Sequence, residues 1–185
     1  YGFIDKTCKY VVKPQLNMAY WFHDGYACVK TGVKWGYVNT NGEYAIQPQF
    51  DDAKTFFDGI AAVKIGEKWG FLNIKGEMIV KPQFDDILDF SEGLARVNVE
   101  GKWGCVNTKG EIVVKPQFDH IDVFINGYAE VRIGRIYGYL NREGNYFVKS
   151  QWNHIHSFHD GLAAVRVGDS KTGKWGYIDN NFKYV

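Results

Sequence analysis

The chain has 185 residues, 45% hydrophobic and 17% aromatic, with 22 basic against 21 acidic residues and a formal net charge of +1. So balanced a chain carries no global field drawing it to nucleic acid or to an anionic membrane. No apolar run approaches the roughly 20 residues that a spanning helix needs.

In chain order, Tyr1-Gly2 opens an incomplete unit, and residues 1–16 read as two strands lacking a first one. There is neither an initiating Met nor a signal-like segment, so the chain is expected to be a fragment of a longer one. Cys8, Cys28 and Cys105 fall in three different repeat slots. An odd count without ligand spacing argues against a disulfide framework and a zinc site. They are expected to be buried or half-buried thiols, which suits a reducing, cytoplasmic compartment.

From Lys34 the stretch KWGYVNTNGEYAIQPQF runs to Phe50 and returns as KWGFLNIKGEMIVKPQF at Lys68 and KWGCVNTKGEIVVKPQF at Lys102. The Trp/Tyr-Gly pairs start at 1, 35, 69, 103, 137 and 175, four steps of 34 residues and one of 38. A period of 34 also suits helical hairpins, but short β-rich runs punctuated by Gly and Pro exclude them. Ile60–Ile65 reads as one strand and KWGFLN as a second. Gly76 supplies a left-handed turn position, and GEMIVKPQF is a third strand with Pro82 near its end. The unit is therefore a three-stranded antiparallel meander plus a connector, with complete units beginning near Tyr26, Ile60, Leu94, Tyr128 and Leu162 in a single repeat domain, 1–185.

Slots recur with fixed chemistry. Ala27, Ala61, Ala95, Ala129 and Ala163 suggest close approach of a neighbour, and Val29, Val63, Val97, Val131 and Val165 share their face. Val12, Ile46, Val80, Val114 and Val148 form a third apolar column. Phe22, Phe56, Phe90, Phe124 and Phe158 are expected to pin each connector to the core, with Gly25, Gly59, Gly93, Gly127 and Gly161 making the bend.

KWGYVN, KWGFLN and KWGCVN, each followed by GE and then PQF, make the chain resemble the WG-repeat (KWG) family over essentially its whole length. That family is mostly bacterial. The resemblance implies a repeat scaffold, often beside other domains, and no established chemistry. The chain departs from the pattern with Tyr at 1 and 137, Ser150 for Pro, and Cys8 and Phe182 for the turn Gly.

The repeating tryptophans are expected in the core, and the Gln15, Gln49, Gln83, Gln117 and Gln151 column is expected to satisfy backbone groups. Asn39, Asn73, Asn107 and Asn141, with Asp5 and Asp179, read as Asx-turn residues. Lys13, Lys81, Lys115 and Lys149 are expected to form a mixed charge ladder with Glu43, Glu77 and Glu111. A second basic column, Lys30, Lys64, Arg132 and Arg166, is interrupted by Asn98 and suits an acidic partner. Tyr20, Trp21 and His23 stand off the pattern, Trp21 as an interface anchor or a cover for the N-terminal end. His120, His154 and His156 are candidates to converge, where imidazoles can take Zn²⁺ or Ni²⁺.

No GxSxG elbow, P-loop or HExxH motif is present, so neither catalysis nor a cofactor is expected. The expected fold is an all-β array of meanders in an open, solenoid-like stack, with a closed β-propeller as the rival. The expected function is a non-enzymatic scaffold for protein–protein interaction, with binding residues Tyr20, Trp21, His120, His154, His156, Arg132 and Arg166. The rival functions are a carbohydrate-binding module using exposed aromatics and an accessory domain of an enzyme or toxin. No nucleic acid, membrane or metal partner is expected.

Overall fold

The computed structural model describes residues 1–145, 152–156, 158–179 and 182–185. The repeat positions Val148, Lys149, Ser150 and Gln151 lie outside the described residues. The described residues contain strands and no helix. Among the described residues, no helix is long and apolar enough to cross a membrane.

A two-stranded sheet of β1 (Phe3–Ile4) and β2 (Tyr10–Val12) comes first. The next sheet contains β3 (Met18–Ala19), β4 (Tyr26–Thr31), β5 (Lys34–Asn39) and β6 (Tyr44–Phe50). It is followed by one of β7 (Asp52–Ala53), β8 (Ile60–Ile65), β9 (Lys68–Asn73) and β10 (Met78–Phe84), and then by one of β11 (Asp86–Ile87), β12 (Leu94–Val99), β13 (Lys102–Asn107) and β14 (Ile112–Phe118). The fifth sheet holds β15 (His120–Ile121), β16 (Tyr128–Ile133) and β17 (Ile136–Asn141), and the sixth β18 (His154–Ile155), β19 (Leu162–Val167) and β20 (Lys174–Asp179). Strands within each sheet pair antiparallel in sequence order.

The expected three-stranded meander is present, and the structure adds a fourth strand to it. Two residues of each connector, such as Asp52–Ala53, pair with the strand that follows the connector. Two residues carry too little alternation to read as a strand. A four-stranded antiparallel sheet is also the unit of a propeller blade, so strand number no longer separates the stacked and propeller arrangements.

The Trp-Gly and Gln/Lys-Pro-Gln motifs explain each other. Trp35 pairs with Phe50 and Tyr37 with Ile46, so β6 advances four residues while β5 advances two. The surplus forms a bulge, and its backbone lies against Gly36. A Cβ at Gly36 would sit 2.6 Å from the Ile46 carbonyl oxygen and 2.7 Å from Pro48 N. The connector turns are two-residue hairpins with both central residues at positive φ, as in Asp58 (49°) and Gly59 (79°), the type I′ combination. Asp24 Oδ2 accepts a 3.1 Å bond from Gly59 N, and Glu92 Oε2 a 2.8 Å bond from Gly127 N, so these carboxylates tie one connector to the next.

The Asx-turn reading holds. Asn73 Oδ1 accepts from Lys75 N at 2.9 Å and Glu77 N at 3.0 Å, and Asp5 Oδ1 accepts from Thr7 N and Lys9 N. The same asparagines correct the charge-ladder expectation. Asn39, Asn73 and Asn107 donate Nδ2–H bonds to Glu43, Glu77 and Glu111, so those glutamates are committed to the turn. The Gln expectation is also corrected. Gln15, Gln49, Gln83 and Gln117 are exposed, and Gln49 bonds the nearby Gln47 carbonyl. Cys28 and Cys105 are buried free thiols, but Cys8 is exposed, because it occupies a turn slot at positive φ (62°).

Consecutive sheets pack face to face. The Ala and Val columns look toward the preceding sheet: Ala61 and Val63 pack with Trp35, Tyr37, Ile46 and Phe50, and Phe56 of the connector fills the same joint. Burial of each such side chain contributes about 1.5–3 kcal/mol. Phe22 departs from its column, being exposed and edge-on to Phe3.

Three joints are also latched by a residue that the motif reading missed. Asp51 Oδ1 takes a 2.6 Å hydrogen bond from Lys34 of the preceding sheet, and its Oδ2 a 2.7 Å bond from the turn N–H of Gly66 in the next. Asp85 repeats this between Lys68 and the Glu100 N–H, and Asp119 between Lys102 at 2.5 Å and the Gly134 N–H. The lysine hydrogen bond, then the backbone N–H, holds each carboxyl below its ordinary value of 3.8.

Two outcomes follow from this architecture. Gly36→Ala is expected to lower stability by about 1–3 kcal/mol through overpacking, read as a shift in the denaturation midpoint. The latch carboxyls titrate lower when folded, so their contribution is full above their ordinary value and lost as pH falls through the folded one. The Asp51→Asn, Asp85→Asn, Asp119→Asn triple variant is therefore expected to melt lower than the parent at neutral pH. Its deficit should shrink as pH falls below 3.8.

Candidate functional site

The repeating aromatic lies on the middle of each sheet, flanked by slots that the repeat leaves free. Trp35 is opposite Lys30 on β4, Trp69 opposite Lys64, Trp103 opposite Asn98, Tyr137 opposite Arg132, and Trp175 opposite Arg166. The short strand adds a third position in this row: Met18, Asp52, Asp86, His120 and His154 pair with those same β4-type residues. The basic column thus lies beside the aromatics. Lys30 Nζ is 5.5 Å from the Trp35 ring centre, and the Arg166 guanidinium 5.5 Å from that of Trp175, both within cation–π range.

Burial divides the tryptophans. Trp35 and Trp69 are core residues at 5% and 7% exposure, as expected, whereas Trp175 is 51% exposed. Tyr20 and His156 occupy one slot and do the same thing. Tyr20 stacks on Trp35 with centroids 5.5 Å apart, and His156 on Trp175 at 5.3 Å, each at 17° between planes. Trp21 projects away from the fold at 89% exposure and covers nothing.

The histidines converge only in part. His154 and His156 have ring centroids 4.8 Å apart and share Trp175. His120 belongs to the preceding sheet, paired with Arg132. Among the described residues, no group of three or more His, Cys, Asp or Glu side chains is arranged to hold a metal. Burial first, then His156 and Arg166, lowers the His154 pKa below its ordinary 6.5, which favours the neutral imidazole.

Arg132 and Arg166 do come together. With Arg135, Tyr137, Asn153 and the Gly168–Ser170 loop they line a cleft of about 460 Å³ at the turn end of the joint between the last two sheets. The loop is where the 38-residue step is absorbed. Asp169 folds it by accepting from Lys171 N, Thr172 N and Thr172 Oγ1. Those bonds, led by the Thr172 hydroxyl, bring the Asp169 pKa down to about 2. Arg135 and the loop were not legible as site residues, because only the joint sets them beside Arg132 and Arg166.

A sequence profile described as the WG containing repeat matches residues 1–35, 35–69, 69–103, 103–135 and 137–170. The chain belongs to the WG-repeat family. No curated protein matches it. Among solved structures, it is similar to Hsv2 of Kluyveromyces marxianus, at 15% identity and a TM-score of 0.54 over 95% of this chain and 63% of that one. It is also similar to Kluyveromyces lactis Hsv2p, at 12% identity and 0.52 over 95% and 65%. The WG-repeat chain thus spans just under two thirds of these β-propeller-like neighbours, and the likeness bears on fold alone.

The last joint carries a second unusual group. Glu130 of β16 faces Tyr139 across the strand pair, with Asp122 beside them around a small pocket that Phe158 also lines. Tyr139 donates a 2.7 Å bond to the His156 carbonyl. Burial, then the Asp122 charge, pushes the Glu130 carboxyl up to about 7. A carboxyl raised on folding stabilises the protein below its unfolded value and loses that contribution as pH rises through the folded one. Glu130→Gln is therefore expected to remove a fall in melting temperature that the parent shows between about pH 5 and pH 8.

Proposed function

We propose that this WG-repeat chain is a non-enzymatic scaffold that binds another protein through slots the repeat leaves free to vary. The observation that carries the reading is Trp21. Trp35 and Trp69 of the repeat ladder are buried, but this off-pattern ring stands 89% exposed. It is flanked in the chain by Tyr20 and Phe22, also exposed. Exposed aromatic clusters mark binding surfaces, and tryptophan is enriched among residues that dominate interface energy. The Tyr20 ring is already held against Trp35, so it loses little side-chain freedom on binding. The four-stranded sheets provide the frame that carries the connector.

Placing a photo-crosslinking amino acid at position 21, with Val33, also highly exposed, as control, tests this in cells of the source organism. A protein adduct at 21 that is absent at 33 is the expected outcome. Equal labelling at both positions sinks the proposal. An adduct removed by glycosidases but resistant to protease replaces the protein partner with a glycan.

A further inference from the structure

The last joint differs from the three before it in one respect with chemical consequences. At the earlier joints Lys34, Lys68 and Lys102 meet Asp51, Asp85 and Asp119, each pair 17 residues apart. The same spacing places Ile136 and Asn153 at the last joint. Asn153 Oδ1 still accepts the turn N–H, now from Gly168 at 2.7 Å. Its amide nitrogen, a donor, then stands where each aspartate has its second oxygen. The lysine is gone, and the cleft opens at this place, lined by Arg132, Arg135 and Arg166.

The seam has therefore changed from an acceptor facing a donor to a set of donors. The one carboxylate in the lining, Asp169, is occupied by its own loop, and the Asp119 carboxylate near Arg132 is held by Lys102 and Gly134. Three guanidiniums against Asp169 leave a net charge of +2 on the lining. Arg166 Nε is buried without a hydrogen-bond partner, a state that native structures rarely leave unexplained.

We propose that this cleft binds a carboxylate side chain from an acidic segment of a partner protein, which supplies in trans the acceptor that Asp51, Asp85 and Asp119 supply within the chain. Guanidinium forks fit carboxylates bidentately, and Tyr137 provides an aromatic wall. The repeat itself argues for carboxylate, since Asp51, Asp85 and Asp119 place one at this point in the three joints before it, while Asn17 holds the slot at the first joint. Phosphate shares the same oxyanion chemistry and is the competing source. The protein origin of the carboxylate rests on the scaffold reading above, whereas oxyanion binding does not.

The test uses the purified chain with labelled hexaglutamate, hexaglutamine as a neutral control, and inorganic phosphate. Affinity is read by anisotropy and the His154 ring resonance by NMR. Hexaglutamate is expected to bind, with affinity falling as salt rises, and to raise the His154 pKa by countering Arg166. Arg135→Gln, on an exposed turn, is expected to weaken binding about tenfold. The Ile136→Lys, Asn153→Asp double variant installs the latch of the other joints. It is expected to weaken binding at least as much while keeping or raising the melting temperature, so loss of fold is not the cause. Binding unchanged in both variants, or no binding of hexaglutamate or phosphate, overturns the proposal. Phosphate binding without hexaglutamate binding overturns the acidic-protein occupant and assigns the cleft to a free phosphate-bearing molecule. Because the probes are defined, a failed crosslink at position 21 leaves this result independent.

Discussion

The contact on which the array depends is the aspartate placed between two sheets. A stack of small sheets gains most of its stability from apolar burial, which is non-directional and sets no rotation of one sheet against the next. Asp51 supplies the direction. One oxygen reaches back to Lys34 and the other forward to the Gly66 turn, so sheets that pack through Phe56, Val63 and Ile46 also meet in one register. The lysine of the KWG motif is explained by this contact and by nothing within its own strand.

The same logic accounts for where the chain is irregular. The joint with Ile136 and Asn153 in the latch positions also carries the longer loop, the exposed Trp175, the paired His154 and His156, and the raised Glu130 carboxyl. Where a structural ion pair is given up, the polar groups around it are freed to meet something else. Trp21 has a different origin, since it lies in a connector slot filled by Thr55, Asp89 and Val123 in the units that follow.

Much of this was legible from residues alone. The strand boundaries at Ile60–Ile65 and Lys68–Asn73, the Asx turns, the buried Ala and Val columns and the bends at Gly59 and its equivalents all follow from local periodicity and turn chemistry. Three features were not legible. The two-residue strands are too short to alternate. The Glu side chains turn back to Asn39, Asn73 and Asn107 instead of meeting lysines along the strand, because the turn holds them. The Gln column is exposed because the bulge that lets Pro48 pass Gly36 turns the flanking side chains outward.

By itself, the sequence determined the β character, the unit length, the family and the slots that vary, because each is a matter of local spacing repeated along one chain. Only the tertiary structure decided which variable slots share a surface. It separated His120 from His154 and His156, joined Arg132 and Arg166 to Arg135, and left Trp175 half exposed while Trp35 and Trp69 are buried. The reason is that a joint is built from residues of two consecutive units, and their meeting depends on how one sheet is turned upon the next.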